Sequence, residues 1–378
     1  MSLFASDVAI VGGGLIGSSA ALALRRLGFS VVLIERDLCG ARASGVNFGG
    51  VRRQGRSIGQ LHLAMRAHAI WQRLPELIGT DGEYVQSGHL KLARSPQDLA
   101  ALAEYRERTS DFDLKLEILE GAEFRRRFPM FGEGVAGGSL SPEDGQANPR
   151  LVAPAFARAA ASAGVIVLER CHLTSMAREE RSFLLRAEAG VEIRAQHLIN
   201  AAGGWGHEVA SHFGDHLPLK VGYPTMAVTE PLPAVLGVSL GVEGGGFYAR
   251  QVARGNLVMG GGFGEATGPG TSRPGRRPMA SVAEQAAAIL PALRHAQVIR
   301  FWSGTEGYTP DKNPVIDFSP TTSGLIHAFG FSGGGFQIAP AVGEVLAELV
   351  RDGTSTTPLD SFRINRFNPH PMSEASIL

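Results

Sequence analysis

Short apolar runs, amphipathic stretches and glycine-rich turns alternate along this chain. At the N-terminus, residues 7–11 form an apolar run that is typical of a buried strand. Residues 18–27 are small or apolar and predict a helix, which ends at Gly28. Val31–Ile34 is a second apolar run and predicts another buried strand. This order predicts a parallel strand–helix–strand unit.

The same patterns predict elements along the rest of the chain. Apolar residues at helical spacing predict helices at 57–77, 96–108, 121–128, 148–163, 282–289 and 338–351. Apolar runs predict a strand pair at 84–93 and strands at 164–168, 195–202, 225–229, 246–251, 256–262 and 325–329. Strands dominate the middle of the chain, whereas its C-terminal part returns to a strand, a glycine cluster and a helix.

These elements predict an α/β protein with two domains. The first is a Rossmann-type dinucleotide-binding domain, and the second is a discontinuous α+β domain built mainly on an antiparallel sheet. The first domain is expected to comprise residues 1–80, 146–218 and 300–365. The second is expected to comprise residues 81–145 and 219–299, with a tail at 366–378.

Composition and charge limit the classes of protein to which this chain can belong. The chain has 378 residues, of which 44% are hydrophobic, enough for two domains with cores. Its formal net charge is zero, which argues against nucleic acid or an anionic membrane as the main partner. No apolar run reaches the roughly 18 residues of a membrane span, so we expect no integral membrane segment. Two cysteines, Cys39 and Cys171, form no disulfide framework, and no signal-peptide pattern opens the chain, so we expect a cytoplasmic location.

The turn after the first strand carries candidate phosphate-binding chemistry. Residues 12–17 read Gly-Gly-Gly-Leu-Ile-Gly, the G-x-G-x-x-G pattern. Gly12 permits a tight turn, Gly14 permits close approach to a pyrophosphate, and Gly17 permits close packing of helix and strand. The next helix offers its N-terminal N–H groups and positive dipole end to phosphates. Glu35 ends the second strand and can accept hydrogen bonds from ribose hydroxyls. We predict a dinucleotide site; a glycine-rich turn without a ligand is the alternative.

Four further segments indicate more closely which kind of dinucleotide-binding protein this is. They are the Ser/Asn/Gly loop at 44–52, the strand and glycine pair at 200–205, the Trp-to-Asp segment at 302–317, and the glycine cluster at 330–340. With the N-terminal turn, and in this order, they resemble the FAD-dependent D-amino-acid oxidase family over about residues 5–365. That family includes glycine oxidase, sarcosine oxidases and dye-linked amine dehydrogenases. Residues 47–52 and 306–311 look most like the flavin subunits of D-hydroxyproline dehydrogenase, opine oxidase and hydrogen cyanide synthase.

The resemblance implies FAD as the cofactor and a second domain that binds substrate. Sarcosine oxidases attach flavin covalently through a C-terminal cysteine, and this chain has none there, so FAD is expected to be noncovalent. Arg36 is either an adenine or ribose contact or a solvated charge. The expected cofactor-binding residues are Gly12, Gly14, Leu15, Ile16, Gly17, Glu35, Arg36, Ser44, Asn47, Gly49, Gly50, Val51, Leu173, Ala202, Gly203, Trp205, Gly304, Gly333, Gly334, Gly335, Phe336 and Gln337. The Gly333–335 N–H groups, which precede a helix, are expected to face flavin O2.

At the positions where substrate is expected to bind, this chain differs from the family. Glycine-oxidase-like members carry a carboxylate-binding arginine where this chain has Glu306. Glu306 either pairs with a substrate ammonium or forms an internal salt bridge with Arg52 or Arg53. A substrate carboxylate would need another arginine, and Arg52 and Arg250 are the candidates. Arg52 could instead bind FAD phosphate or Glu306, and Arg250 could be a solvated strand residue. Tyr248 either lines the pocket or is a core residue.

Two more departures concern the flavin. Close relatives often have histidine where Gly334 stands, so the site is either wider or differently tuned in redox potential. Val258 stands where monomeric sarcosine oxidases have an oxygen-activating lysine, which favours a dehydrogenase over an oxidase.

The resemblance implies oxidation of a C–N bond in an amino acid or secondary amine, such as a D-amino acid, a cyclic imino acid or an opine. Hydride would pass to flavin N5, and no histidine is needed as a base if the amine binds neutral. One alternative is a flavin subunit that works with electron-accepting partner subunits. Another is a glycine- or sarcosine-type oxidase that produces hydrogen peroxide. A noncatalytic FAD-binding protein is a third alternative, which the complete set of flavin-facing segments argues against.

Overall fold

The computed structural model describes residues 2–268 and 270–367. An eight-stranded, mostly parallel sheet organises the N- and C-terminal parts of the chain. In spatial order its main strands are Val315–Phe318, Leu325–Phe329, Val191–Asn200, Ser2–Val11, Val31–Ile34 and Ile166–Leu168. The hairpin Leu173–Arg178 and Phe183–Ala187 extends Val191–Asn200 from one side. Strands Val31–Ile34 and Leu325–Phe329 are buried throughout, and so are Val8–Ile10 and Leu198–Asn200 in the two strands between them, which explains the apolar runs there.

Four helices pack together against this sheet. They are Leu15–Arg26, Ile58–Trp71, Pro149–Ser162 and Gly335–Asp352. The first helix lies between the third and the fourth, and a Cβ atom at Gly343 would come within 2.6 Å of Ser19. Small residues therefore let the first and last helices of the chain approach closely.

A second eight-stranded sheet, mostly antiparallel, has a separate core. In spatial order its strands are Val298–Ser303, Pro224–Pro231, Asn256–Phe263, Tyr248–Gln251, Ser239–Val242, His89–Ala93, Gly137–Ser141 and Glu117–Glu120. Helices Gly121–Arg127 and Arg276–Ile289 contribute to that core, which includes Phe124, Phe128 and Phe131. The two sheets confirm the predicted fold class.

Shorter elements connect these layers. The remaining helices are Ala43–Val46, Leu74–Ile78, Pro96–Arg108 and Gly206–His212. Small two-stranded sheets pair Gly50–Val51 with Gly145–Gln146, Lys220–Gly222 with Glu306–Tyr308, and Glu265–Gly268 with Thr271–Arg273. No helix in the described ranges has both the length and the apolar character that crossing a membrane requires.

Several predicted boundaries differ from the structure. The predicted helix at 57–77 is two helices, Ile58–Trp71 and Leu74–Ile78, because Pro75 starts a new helix at its first turn. Only His89–Ala93 of the strand pair at 84–93 is a strand. Val298–Ser303 pairs with Pro224–Pro231 in the second sheet, so the boundary at 299 divides a strand.

The predicted tail at 366–378 lies mostly outside the described residues. Of its members, Arg366 and Phe367 belong to the short 3₁₀ helix Ile364–Phe367. The Arg366 side chain forms an ion pair with Asp311 at 2.9 Å, which ties this end of the described chain to the first domain. The division into domains otherwise stays a prediction.

Candidate functional site

A long open cleft runs along the carboxyl ends of the parallel strands, the usual ligand position in such sheets. Its walls bring together most of the residues that the sequence predicted for a cofactor, and also Glu306. The predicted residues that line it are Gly12, Gly14, Leu15, Ile16, Glu35, Arg36, Ser44, Asn47, Leu173, Ala202, Gly203, Trp205, Glu306, Gly333, Gly335 and Phe336.

The other predicted site residues do not line this cleft. They are Gly17, Gly49, Gly50, Val51, Arg52, Tyr248, Arg250, Gly304, Gly334 and Gln337. Gly17 has the packing role predicted for it, because a Cβ atom there would lie 2.0 Å from the Gly12 carbonyl oxygen. The Gln337 side-chain amide donates to the Ala64 carbonyl oxygen at 2.9 Å and thus joins two helices, and its predicted role in cofactor binding stays a prediction.

The glycine-rich turn has the backbone geometry that phosphate binding requires. Gly12 has φ = +110°, and a Cβ atom there would lie 2.3 Å from the Ala201 carbonyl oxygen, so only glycine fits. Gly14 is the N-cap of helix Leu15–Arg26 and uses no side-chain cap of its own. Ser44 Oγ accepts a hydrogen bond from the Leu15 N–H at 2.8 Å. Ser44 therefore caps this helix from the neighbouring short helix Ala43–Val46, a role that its sequence position does not reveal.

Glu35 is held rigidly at the rim of the turn. One carboxylate oxygen accepts a hydrogen bond from the Gly13 N–H and the other accepts from the Asp37 N–H, both at 2.8 Å. A Cβ atom at Gly13 would lie 2.7 Å from the Glu35 Cβ, so the second glycine of the turn is needed for this contact. Each oxygen keeps acceptor capacity for a ribose hydroxyl.

Arg36 lies flat over the indole of Trp205, with its guanidinium carbon 3.8 Å from the ring centroid. Its Nη2 atom is buried and has no hydrogen-bond partner among the described residues. The alternative of a solvated charge is therefore wrong. A buried donor without an acceptor is costly, and an adenosine or phosphate oxygen in the cleft would satisfy it. These features fit the adenosine half of a dinucleotide.

The Asn47 side chain makes the hydrogen bonds that hold the loop after helix Ala43–Val46. The Asn47 amide donates to the carbonyl oxygens of Ala43 and Ser44 and accepts from the Gly49 N–H at 2.7 Å. Its polar groups thus form hydrogen bonds within the loop, while Asn47 also lines the cleft; its role in cofactor binding stays a prediction. Gly49 has φ = +85°, and a Cβ atom there would meet the Ala147 carbonyl oxygen at 2.2 Å.

Arg250 packs behind this loop. Its Nε–H donates to the Phe48 carbonyl oxygen at 2.6 Å, and its side chain is only 5% exposed, so it is not a solvated strand residue. Burial lowers the pKa of Arg250 to about 10, and it has no ion-pair partner within the described ranges. Tyr248 lies on the same strand face, and its ring meets Phe48 edge-to-face at 4.9 Å. Arg250 therefore carries an uncompensated buried charge next to the cleft wall.

Glu306 faces the other end of the cleft. Its carboxylate accepts a hydrogen bond from the Tyr308 hydroxyl at 2.7 Å. The alternative of a salt bridge is wrong for Arg53, which pairs with Glu143 and Asp144 at 3.0 Å each. Arg52 donates instead to the Gln54 carbonyl oxygen at 2.5 Å.

Burial raises the pKa of Glu306, and the hydrogen bond from Tyr308 opposes that rise. The sequence analysis missed Tyr308, although residues two apart on a strand share a face. That spacing within Glu306–Tyr308 could have identified the pair.

The glycine cluster at 333–335 closes this end of the cleft. Gly333 has φ = +78°, and a Cβ atom on Gly333 would lie 3.6 Å from Glu306 Oε2. Gly334 is the N-cap of helix Gly335–Asp352, so its neighbours present N–H groups at the helix start. The Ser332 N–H donates to the Gly307 carbonyl oxygen at 3.0 Å, which joins the cluster to the Glu306 strand.

Arg56 supports this cluster from behind. Its Nη2 donates to the Gly334 carbonyl oxygen at 3.0 Å and its Nη1 donates to Gln60 at 2.9 Å. A Cβ atom at Gly334 would come within 3.2 Å of Arg56 Nη1. The side chain absent at Gly334 therefore does not widen the site, because the Arg56 guanidinium occupies that space. Burial and the neighbouring Arg52 lower the pKa of Arg56 to about 9, which still leaves it protonated at neutral pH.

A buried polar chain holds the floor of the cleft. The His327 ring bridges Asp215 Oδ2 at 2.8 Å and the Asn200 amide at 3.1 Å. Asn200 also donates to the Gly206 carbonyl oxygen at 2.8 Å. All three bridged side chains are at most 3% exposed. The turn that begins at Ala201 and lines the cleft is therefore anchored at both ends.

Comparison with known proteins agrees with this geometry. The family model described as FAD dependent oxidoreductase, abbreviated DAO, matches residues 7–349. The chain belongs to this family of FAD-dependent oxidoreductases. The flavoenzyme is therefore expected to hold FAD in the cleft, with the Gly12 turn and Glu35 at one end and the Gly333 cluster at the other.

Similar proteins match this oxidoreductase over nearly its whole chain. The chain is 27% identical over 368 residues to the beta chain of sarcosine oxidase from Rhizobium meliloti, and the match covers 96% of this chain and 88% of that protein. It is 27% identical over 379 residues to one of the subunits of opine oxidase from Rhizobium meliloti, covering 97% and 99%. The crystal structure of glycine oxidase from Geobacillus kaustophilus matches with a TM-score of 0.89 at 24% identity, over 96% of this chain and 99% of that one.

Proposed function

We propose that this flavoenzyme oxidises the C–N bond of an amine or amino acid. The observation that carries the proposal is that one cleft joins a dinucleotide cradle to an unpaired carboxylate, Glu306, beside the glycine cluster. A carboxylate in that position is suited to a substrate nitrogen. Two of the similar proteins are a sarcosine oxidase subunit and an opine oxidase subunit, and sarcosine and opines are amines, which supports the same substrate class.

In this proposal the adenosine and pyrophosphate lie against the N-terminal turn. Gly12 and Gly14 give backbone access, Glu35 accepts from ribose, and Arg36 donates through its free Nη2. Bound FAD would supply the chemistry, accepting a hydride from the substrate carbon at N5 as the amine becomes an imine.

Attachment is proposed to be noncovalent. Neither cysteine lies near Gly333, because Cys39 packs against Gly13 and the Cys171 N–H donates to the Glu35 carbonyl oxygen at 2.9 Å.

The protein's own groups would orient the substrate and the flavin. N–H groups of the Gly333–335 cluster and the positive end of the following helix would stabilise negative charge on the reduced ring. Glu306 and the Tyr308 hydroxyl would bind the substrate nitrogen. Arg250, which is buried, and Arg52, which is half-buried, form no ion pair in the described part of the chain and remain the candidates for a substrate carboxylate.

The electron acceptor is proposed to be something other than oxygen. Val258 lies directly opposite Arg250 in the strand register, so its apolar side chain shares the face that carries Tyr248 and Arg250. A cation that could assist oxygen reduction is therefore missing at that position. Two of the relatives are named as subunits, which supports a second candidate: a flavin subunit that passes electrons to partner chains.

Anaerobic flavin bleaching tests the proposal. The purified holoprotein would be mixed with D- and L-amino acids, N-methyl and cyclic amines, and opines, and the visible flavin absorbance followed. Bleaching by one class, with reoxidation by an artificial dye but slowly by air, is the expected result. Bleaching by none of these compounds, with FAD bound, would contradict amine oxidation by the isolated chain. Fast reoxidation by air would contradict only the proposal that the electron acceptor is something other than oxygen, and amine oxidation would stand.

A further inference from the structure

Glu306 is a carboxylate without a counterion. No arginine, lysine or histidine of the described residues forms an ion pair with it, and its one hydrogen bond comes from Tyr308. A carboxylate removed from bulk water is stable only when it is neutralised or paired. Glu306 lines the cleft, so a cation that enters the cleft would pair with the carboxylate and keep it ionised.

The surroundings of Glu306 are aromatic and uncharged. Tyr248 and Tyr308 both lie close enough that the Glu306 charge, added to burial, raises the pKa of each hydroxyl. Phe263 meets the Tyr308 ring edge-to-face at 5.4 Å, and Phe48 meets Tyr248 at 4.9 Å. Apart from the two tyrosine hydroxyls, these rings carry no hydrogen-bond donor for an anion, so the charge near Glu306 favours a cation.

We infer that the Glu306 carboxylate, held by the Tyr308 hydroxyl, is a receptor for a positively charged nitrogen, so that the substrates of this enzyme present an ammonium or alkylammonium group, rather than a carboxylate, at this end of the cleft. The statement about substrates rests on the proposed function, but the cation site itself does not depend on turnover. The carboxylate supplies the charge, and the hydrogen bond from Tyr308 fixes its orientation.

A ligand that is not oxidised separates binding from catalysis. Tetramethylammonium chloride would be titrated into the holoenzyme at constant ionic strength, with perturbation of the flavin spectrum as the readout, and sodium acetate would be the anionic comparison. We expect saturable binding of tetramethylammonium, and we expect acetate, which can bind only at an arginine such as Arg52 or Arg250, not to compete with it. Absence of tetramethylammonium binding, or its displacement by acetate, would overturn the inference.

Two variants test whether the Glu306 carboxylate binds the cation. Glu306→Gln keeps the shape and an acceptor for Tyr308 but removes the charge, and is expected to weaken tetramethylammonium binding by about tenfold or more. Glu265→Gln removes the same charge from an exposed hairpin strand, where it pairs with Arg273 at 3.2 Å, and is expected to change nothing. Equal affinity in wild type and Glu306→Gln would overturn the inference.

The pH dependence of tetramethylammonium binding distinguishes a Glu306 that binds the cation from a Glu306 that only supports the fold. Binding needs the ionised carboxylate, so affinity should fall as pH decreases through the raised pKa of Glu306. Tyr308→Phe removes the hydrogen bond that opposes this rise, so the midpoint should move to higher pH. An unmoved midpoint would contradict the assignment. If cations bind through Glu306 but no amine bleaches the flavin, the receptor stands and the proposed function fails.

Discussion

The guanidinium of Arg36 lies 3.8 Å from the indole ring centroid of Trp205, and its Nη2 is buried without an acceptor among the described residues. Stacking fixes the plane of the guanidinium, so the free N–H points in a defined direction rather than sampling rotamers. The pair joins the end of strand Val31–Ile34 to the short 3₁₀ helix Gly203–Trp205 across the cleft. It is therefore a preorganised donor for an adenosine oxygen.

Replacing Arg36 should weaken FAD binding without unfolding the protein. Arg36→Met keeps an apolar stem over Trp205 but removes the donor, and a charged hydrogen bond is worth about 1.5–3 kcal/mol, or about tenfold or more in Kd. Quenching of FAD fluorescence on titration of deflavinated protein gives the Kd. Arg254→Met, at an exposed turn, is the matched control. Equal FAD affinity in the two variants would refute the role of Arg36.

Gly12 should tolerate no side chain. Gly12→Ala places a methyl group 2.3 Å from the Ala201 carbonyl oxygen at φ = +110°, so we expect a loss of about 2 kcal/mol or more in the free energy of unfolding, together with FAD loss. Gly237→Ala, where a Cβ atom meets nothing within 4 Å, should be nearly neutral. Denaturant unfolding and flavin content measure both effects. A stable, fully yellow Gly12→Ala protein would show that the turn relaxes.

The sequence predicted those parts of the site that local geometry determines. The Gly12 turn and Glu35 were identifiable because a tight βα turn needs glycine and because an acidic residue ends the second strand. Arg56 was missed, since its bond to Gly334 joins residues 278 positions apart and leaves no local pattern. The partners of Arg53 depend in the same way on Glu143 and Asp144, which only tertiary folding brings near.

Acid should destabilise the floor of the cleft through His327. Burial lowers the pKa of His327 below its ordinary value, although Asp215 opposes this. A depressed histidine pKa means that the unfolded chain binds the proton first, so stability is complete above about pH 6.5 and decreases as pH falls below it. The slope of Tm against pH between about 5 and 7 should therefore be positive in the wild-type protein.

His327→Gln offers a donor to Asp215 and an acceptor to Asn200 but does not titrate. We expect this variant to show a smaller slope of Tm in the same pH interval, whereas His216→Gln, at an exposed position, should keep the wild-type slope. Calorimetric melts across the interval make the comparison. An unchanged slope in His327→Gln would assign the acid sensitivity to other buried histidines such as His89.

Arg56 should influence the redox behaviour of bound FAD. Its charge lies behind Gly334, in the cluster proposed to face the flavin, and positive charge there favours the reduced, more negative ring. Arg56→Met is expected to lower the two-electron midpoint potential by about 30 mV or more, which corresponds to about 1.4 kcal/mol. Arg56→Lys keeps the charge and should remain closer to wild type. Dye equilibration measures the potential, and equal values for the Met variant and wild type would exclude this influence.

The packing of Gly343 against Ser19 has a consequence for how the protein is made. The helix beside the cofactor turn, Leu15–Arg26, leaves the ribosome long before its neighbour Gly335–Asp352. Until the later helix emerges, the apolar face of the earlier one has no cover on that side, so the nucleotide-binding half cannot mature as an early, independent unit. We therefore expect FAD to load only after Gly335–Asp352 has been synthesised, and we expect nascent chains that stop before residue 335 to become substrates for chaperones and proteases.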